Sequence, residues 1–203
     1  MCLIFIGLND KLIAEMIKVF GERKPLPGWK KQVFLALLVA IGIILHLVEA
    51  SLPALFFIPG AKLGLANIVT LIALTNFGFA AALQVLLLRI LVASLLSGTF
   101  MTVTFFLSLT GGLVGFWLMN LAYQYLRDRF SLVGISIIGA FGHNFGQLLM
   151  AFYFIQSSGL FYYFPYLILA ALPTGFFVGV LALILNPYLE RFFLPGTIKR
   201  GYL

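Results

Sequence analysis

The chain has 203 residues, of which 63% are hydrophobic, 16% aromatic and only 9% charged. Soluble domains are about half apolar and a quarter charged, and disordered chains are poor in aromatics, so both classes are excluded. Thirteen Lys and Arg against six Asp and Glu leave a net charge of +7, which in a membrane protein reports first on orientation and gives no reason to expect nucleic acid.

At about 20 apolar residues per crossing plus short turns, this length holds about six transmembrane helices and no second folded domain. The apolar runs are continuous on all sides, unlike the ~10-residue alternating segments of a β-barrel. The expected fold class is therefore all-α, a polytopic membrane bundle. The single Cys2 leaves no disulfide, thiolate cluster or C-x-x-C pair within one chain.

In chain order, residues 1–31 are expected to form a cytoplasmic or interfacial segment. Leu8, Leu12, Ile13, Met16, Ile17 and Phe20 give it a mildly amphipathic stretch, and Pro25, Pro27 and Gly28 with Arg23, Lys24, Lys30 and Lys31 make a basic breaker before the first span. The membrane domain is expected over 32–190, with spans at 32–51, 63–77, 78–97, 101–126, 132–156 and 165–189, followed by a short cytoplasmic tail at 191–203. The second span is short and its junction with the third, Phe77-Gly78, is tight, so the pair reads as a hairpin or a partly re-entrant unit. The loop 52–61 carries Pro53, Pro59 and Gly60 around Phe56, Phe57 and Ile58, which suggests an ordered apolar lid. With the N-terminus in the cytoplasm, eleven of the thirteen basic residues lie on that side, leaving Lys62 outside and Arg89 within a span. The positive-inside rule thus predicts cytoplasmic termini and an even number of crossings.

Polar groups in hydrocarbon are costly and point to function. On the fifth span Ser136, Gly139, Ala140, His143, Asn144, Gln147 and Ala151 recur at spacings of three and four and share one helical face. His143, Asn144 and Gln147 could either orient a small polar ligand or tie helices together by hydrogen bonds. Arg89 lies near the middle of the third span, and Glu49 is its nearest opposite charge in sequence. Glu49 is thereby a candidate partner for Arg89, while His46 and Glu49 near the outer end of the first span, with Lys62 across the loop, could instead mark the interface, the simpler reading for His46. Small residues form close-approach steps at Ala36 and Ala40, at Ser108, Gly111, Gly112 and Gly115, and at Gly175 and Gly179.

Asp occurs only at positions 10 and 128, so paired aspartates for Mg²⁺ and a diphosphate are missing, as are Walker, H-E-x-x-H and G-x-S-x-G motifs. The expectation is no enzyme, no catalytic residues, no metal site and no cofactor.

Three stretches together carry a family resemblance. They are Pro59-Gly60-Ala61-Lys62-Leu63-Gly64-Leu65-Ala66-Asn67; Arg89 followed by Ser97-Gly98-Thr99, Ser108 and Gly111-Gly112-Leu113; and Gly139-Ala140 with His143-Asn144-Phe145-Gly146-Gln147. The chain resembles the Gx transporter family, also catalogued as heptaprenyl diphosphate synthase component I, over roughly 33–189. That group is similar to the substrate-binding S components of energy-coupling-factor (ECF) transporters, which are six-helix membrane proteins. The resemblance implies a bacterial cytoplasmic-membrane protein that binds a small molecule and works with an ECF-type transmembrane coupling protein and its ATPases. In those proteins an Ala-x-x-x-Ala step on the first helix docks the coupling protein, and Ala36 and Ala40 match it. The alternative implied is a noncatalytic membrane component for a prenyl diphosphate synthase subunit in heptaprenyl diphosphate and menaquinone biosynthesis, or for a quinone or flavin electron-transfer system. The candidate ligand site comprises Lys62, Asn67, Arg89, His143, Asn144 and Gln147, with Phe56 and Phe57 as a lid.

Overall fold

A computed structural model describes residues 28–51, 64–127 and 129–193. Lys62 and the lid residues Phe56 and Phe57 lie outside the described residues. The described chain is an all-helical membrane bundle: α1 Gly28–Ser51, α2 Asn67–Phe77, α3 Phe79–Leu96, α4 Val103–Leu126, α5 Leu132–Ile155, a 3₁₀ turn Ser158–Tyr163, and α6 Phe164–Phe193. Hydrocarbon offers no water to bond a bare peptide group, so uninterrupted apolar runs satisfy their own backbone as helices. Breaks come where Gly or polar residues cluster. Gly78, at φ +81°, lets α2 turn into α3 through one residue, and Gly98, at φ +67°, opens the α3–α4 turn.

Five of these helices are long and apolar enough to cross a membrane, and α2 is the exception. Eleven residues rise only about 16 Å, roughly half of the ~30 Å hydrocarbon core. The segment from Gly64 to Phe77 nonetheless returns along most of α1. The Gly64 amide is hydrogen-bonded to Glu49 near the end of α1, and the Phe77 ring lies 5.1 Å from that of Phe34 near its start. The short second span expected at 63–77 is thus a helix at Asn67–Phe77 preceded by an irregular turn, and it meets the next helix at the tight Phe77-Gly78 junction. Ile68 to Thr75 of α2 are all buried, enclosed by α1, α3, α4 and α6. Irregular backbone at membrane depth is tolerated where protein surrounds it or a cavity adjoins it.

The ends of the helices fall at two levels. Lys31 Nζ sits 6.0 Å over the Phe77 ring, and Asn76 at the end of α2 donates to Asn186 near the end of α6. The start of α1, the α2–α3 turn, the α4–α5 turn with Arg127 and Arg129, and the end of α6 thus share one end of the bundle. The α3–α4 turn and the 3₁₀ turn lie at the other. The helices also outrun the expected limits. α1 begins at Gly28, directly after the Pro25 and Pro27 pair, and α6 continues to Phe193, into the stretch read as a tail. At 30 residues α6 is about 45 Å long, with Pro173 and Pro187 inside it.

α5 is held by glycines on two neighbours. A Cβ on Gly115 of α4 would lie 2.7 Å from the Gly139 carbonyl oxygen, and one on Gly146 of α5 would lie 2.8 Å from the Thr110 carbonyl oxygen. From α6, a Cβ on Gly175 or Gly179 would come within 2.5 Å of the Ile137 or Val133 Cα. Backbones this close gain dispersion contacts that a side chain would abolish, which is the main attraction between helices in lipid.

Gly115→Ala is expected to destabilise the bundle by about 1 to 3 kcal/mol, because backbone atoms cannot yield to the added carbon. Gly28→Ala, with nothing within 4 Å, leaves thermal melting in detergent within error of wild type or slightly higher. Reporter fusions in the Arg127 to Arg129 turn and at Ser157 should report opposite sides of the membrane. The same side for both would refute the order of crossings.

Candidate functional site

Two adjoining cavities lie at the end of the bundle where Gly64 meets Glu49. The smaller is walled by His46 and Glu49 of α1, the Gly64 turn with Ala66 and Asn67, Arg89 and Ile90 of α3, Ser108 of α4, and His143 and Gln147 of α5. The larger runs deeper, past Thr70, Phe116, Met119, Ser136, Gly139, Asn144 and Thr174. Gly64, Asn67 and His143 border both. Each offers about 20 Å³ to the centre of a water molecule, room for one or two ordered waters. In this conformation the bundle is contracted around its polar groups.

Arg89 lies ten residues, about 15 Å, into α3 and is only 3% exposed. Its stem has space because position 42 is glycine: a Cβ there would be 2.9 Å from the Arg89 Cδ and 2.8 Å from a Val69 methyl. Its Nη2 donates to Asn67 Oδ1 at 3.2 Å. Glu49 borders the same cavity and is the charge that acts on the guanidinium. The Glu49 carboxylate also accepts the Gly64 amide, so one carboxylate ties the end of α1 to the turn entering α2. Nε of Arg89 is buried with no hydrogen-bond partner among the described residues.

The sequence-predicted site residues that are described fall into two groups. Asn67, Arg89, His143 and Gln147 converge on the smaller cavity. Asn144 is one step round α5, where it lines the larger cavity and donates to the Leu167 carbonyl of α6 at 2.9 Å. One of its amide hydrogens is thus committed to holding α5 against α6, as the helix-tying alternative has it. His46 and Glu49, read from the sequence as interface markers, instead form part of the cavity wall. The signal for this was available: both lie one or two turns from the Gly42 face of α1, the face that packs inward. The hydrogen bond from Asn76 to Asn186 was not foreseen, and neither residue sits in a pattern that would have announced it. Among the described residues no three His, Cys, Asp or Glu side chains come together as a metal site would require.

Ala36 and Ala40 are both exposed on α1, beside Leu37, Ile41 and Ile44. Only 17% of the apolar stretch of α1 is buried, against 44–50% in the other four long helices, so α1 is the most peripheral of them.

A family model described as heptaprenyl diphosphate synthase component I matches residues 38–185 of this chain, a stretch running from α1 into α6 that takes in both cavities. No curated protein and no solved structure matches it.

Gly42→Val is expected to displace the Arg89 stem and destabilise the protein by about 1 to 3 kcal/mol, whereas the exposed Ile44→Val leaves melting unchanged. Asn144→Ala is expected to cost about 1 kcal/mol of stability through the lost bond to Leu167. Melting of Asn144→Ala at the wild-type temperature would show that this contact contributes nothing.

Proposed function

This chain belongs to the heptaprenyl diphosphate synthase component I family, and on that premise we propose that it is a noncatalytic membrane protein that binds a small molecule for uptake. In this reading it works as an S-component-like subunit in a bacterial cytoplasmic membrane, with both termini cytoplasmic. Energy comes from a separate ECF-type coupling protein and its ATPases. The observation that carries the reading is the smaller cavity, where Glu49, Asn67, Arg89, His143 and Gln147 meet inside a hydrophobic bundle. A membrane protein that needed these groups only for packing could replace them with apolar residues at no loss, because buried ion pairs seldom stabilise more than well-packed hydrocarbon. Ionisable side chains at such depth generally mark a substrate or ion path.

Two further features support this reading. The Lys30, Lys31, Arg127 and Arg129 end of the bundle is the basic one, which the positive-inside rule assigns to the cytoplasm. The cavity then lies toward the outer face, where an imported solute arrives. The peripheral α1 presents Ala36 and Ala40 outward, and small residues four apart let a partner helix approach closely.

A second reading is favoured by the family's own description: a membrane subunit that supports a prenyl diphosphate synthase whose catalytic residues lie in a partner. The two readings diverge on ligand and on partner.

The test of the first is purification in mild detergent followed by mass spectrometry of what copurifies. A defined small molecule, lost on mild denaturation, is the expected result; lipid and detergent alone would overturn the reading. Replacing Ala36 and Ala40 together with Leu is expected to abolish capture of an ECF-type coupling protein while leaving melting unchanged. Unaltered capture would remove the docking role of that step.

A further inference from the structure

Among the described residues, the wall of the smaller cavity is balanced in charge before any ligand enters. Of these described residues, Arg89 contributes the one full positive charge on the wall and Glu49 the one full negative charge. The carboxylate is held by the Gly64 amide at the start of the irregular turn, and the guanidinium by Asn67. Adding net charge to such a site, inside hydrocarbon and next to an already neutralised pair, is opposed by the cost of stripping water from an ion with no fresh counter-charge to receive it. What lacks an acceptor is one donor of Arg89. Arg89 is 3% exposed, and its Nε–H has no hydrogen-bond partner among the described residues. A buried donor left in that state favours any ligand that brings an oxygen to it. The N-terminus of α2, which begins at Asn67, reinforces this, since its backbone dipole favours the negative end of a neighbouring bond dipole. Gln147 and His143 on the opposite wall supply groups able to donate or accept.

We infer that this cavity takes a solute of zero net charge that presents a carbonyl-type oxygen to the Arg89 Nε–H, and that it rejects polyanions such as an isoprenoid diphosphate. The inference rests on the reading of the cavity as a ligand site. Neutral amide-bearing rings and zwitterionic amino acids share this chemistry, an acceptor oxygen on a molecule whose charges sum to zero. A diphosphate brings at least two negative charges to a wall whose described residues offer one cation, in the field of a carboxylate.

The experiment uses the full chain in mild detergent. Small molecules are extracted and identified by mass spectrometry in both polarities, and their net charge at neutral pH assigns them to neutral rings or zwitterions. Inorganic pyrophosphate and geranyl diphosphate are then added as polyanionic competitors. The expected result is a retained species of zero net charge that neither competitor displaces, with no shift in melting temperature from either. The double variant Glu49→Gln/Arg89→Gln, which keeps the site neutral, is expected to retain at least tenfold less. Arg89→Lys keeps the charge but removes the Nε–H and is expected to lose the ligand likewise, so the question stays decidable if the double variant fails to fold. A retained diphosphate, displacement by either competitor, or wild-type retention by a folded variant overturns the inference while leaving a ligand site in place. Retention of nothing beyond lipid and detergent instead overturns the underlying reading, and this one falls with it.

Discussion

A guanidinium cannot remain in hydrocarbon without partners, and the half of the bundle around Arg89 is arranged to meet that requirement. Space for its stem comes from the glycine at position 42 on α1, a hydrogen-bond acceptor from Asn67 at the start of α2, and an opposite charge from Glu49. Those three groups lie on two helices and belong to segments far apart in sequence, so the demand of one side chain fixes the relative placement of α1, α2 and α3. It also accounts for the irregular stretch before α2. Gly64 adopts a left-handed conformation, at φ +69°, that carries its amide to the Glu49 carboxylate, and a regular helix at that point would have its amides turned inward to its own carbonyls.

The opposite strategy governs α4, α5 and α6. Their contact relies on the absence of side chains. Glycines at 111, 115, 139, 142 and 146 bring α4 and α5 to backbone contact, and Gly175 and Gly179 do the same between α6 and α5. This trio presents His143, Asn144 and Gln147 to the assembly formed by α1, α2 and α3, which carries the charged Glu49 and Arg89. Close backbone packing sets one half, the other adds a buried charge to a packed apolar core, and the cavities lie where the two halves face each other.

Much of this was legible in the sequence because the bilayer leaves few choices. The continuous apolar runs identify the helices, and the spacing of Ser136, Gly139, His143, Asn144 and Gln147 places them on one inward face of α5. The glycine steps at 111, 115, 175 and 179 all prove to be sites of backbone contact. Less legible were features that depend on which helices become neighbours. Asn67 was a candidate from family resemblance, yet its role as the acceptor for Arg89 requires α2 to stop short of the full bilayer. His46 and Glu49 lie just before a span boundary in sequence, and only the return of the Gly64 turn alongside α1 encloses them. Asn76 and Asn186 are 110 positions apart, and no local periodicity links them. Residues 4 apart on a helix can be paired by counting, whereas residues on packed helices are paired by the fold.

Pro173 gives α6 an uneven stiffness. It has no amide hydrogen, so the carbonyl of Leu169 loses its helical donor, and the backbone at that point bends at lower cost than elsewhere along the rod. On the inner side of the proline, Gly175 and Gly179 seat α6 on α5 through backbone contact. On the outer side, the Asn144 amide on the Leu167 carbonyl is a polar contact between the two helices. The segment from Phe164 to Leu172 has its hinge at the proline and is held to α5 by that amide and by the Phe164 ring against Phe141 and Phe145, and Thr174 beside the hinge borders the larger cavity. Since the space inside admits only a water or two, entry of anything bigger needs some wall to give way, and Pro173 lowers the cost of bending α6 beside that wall.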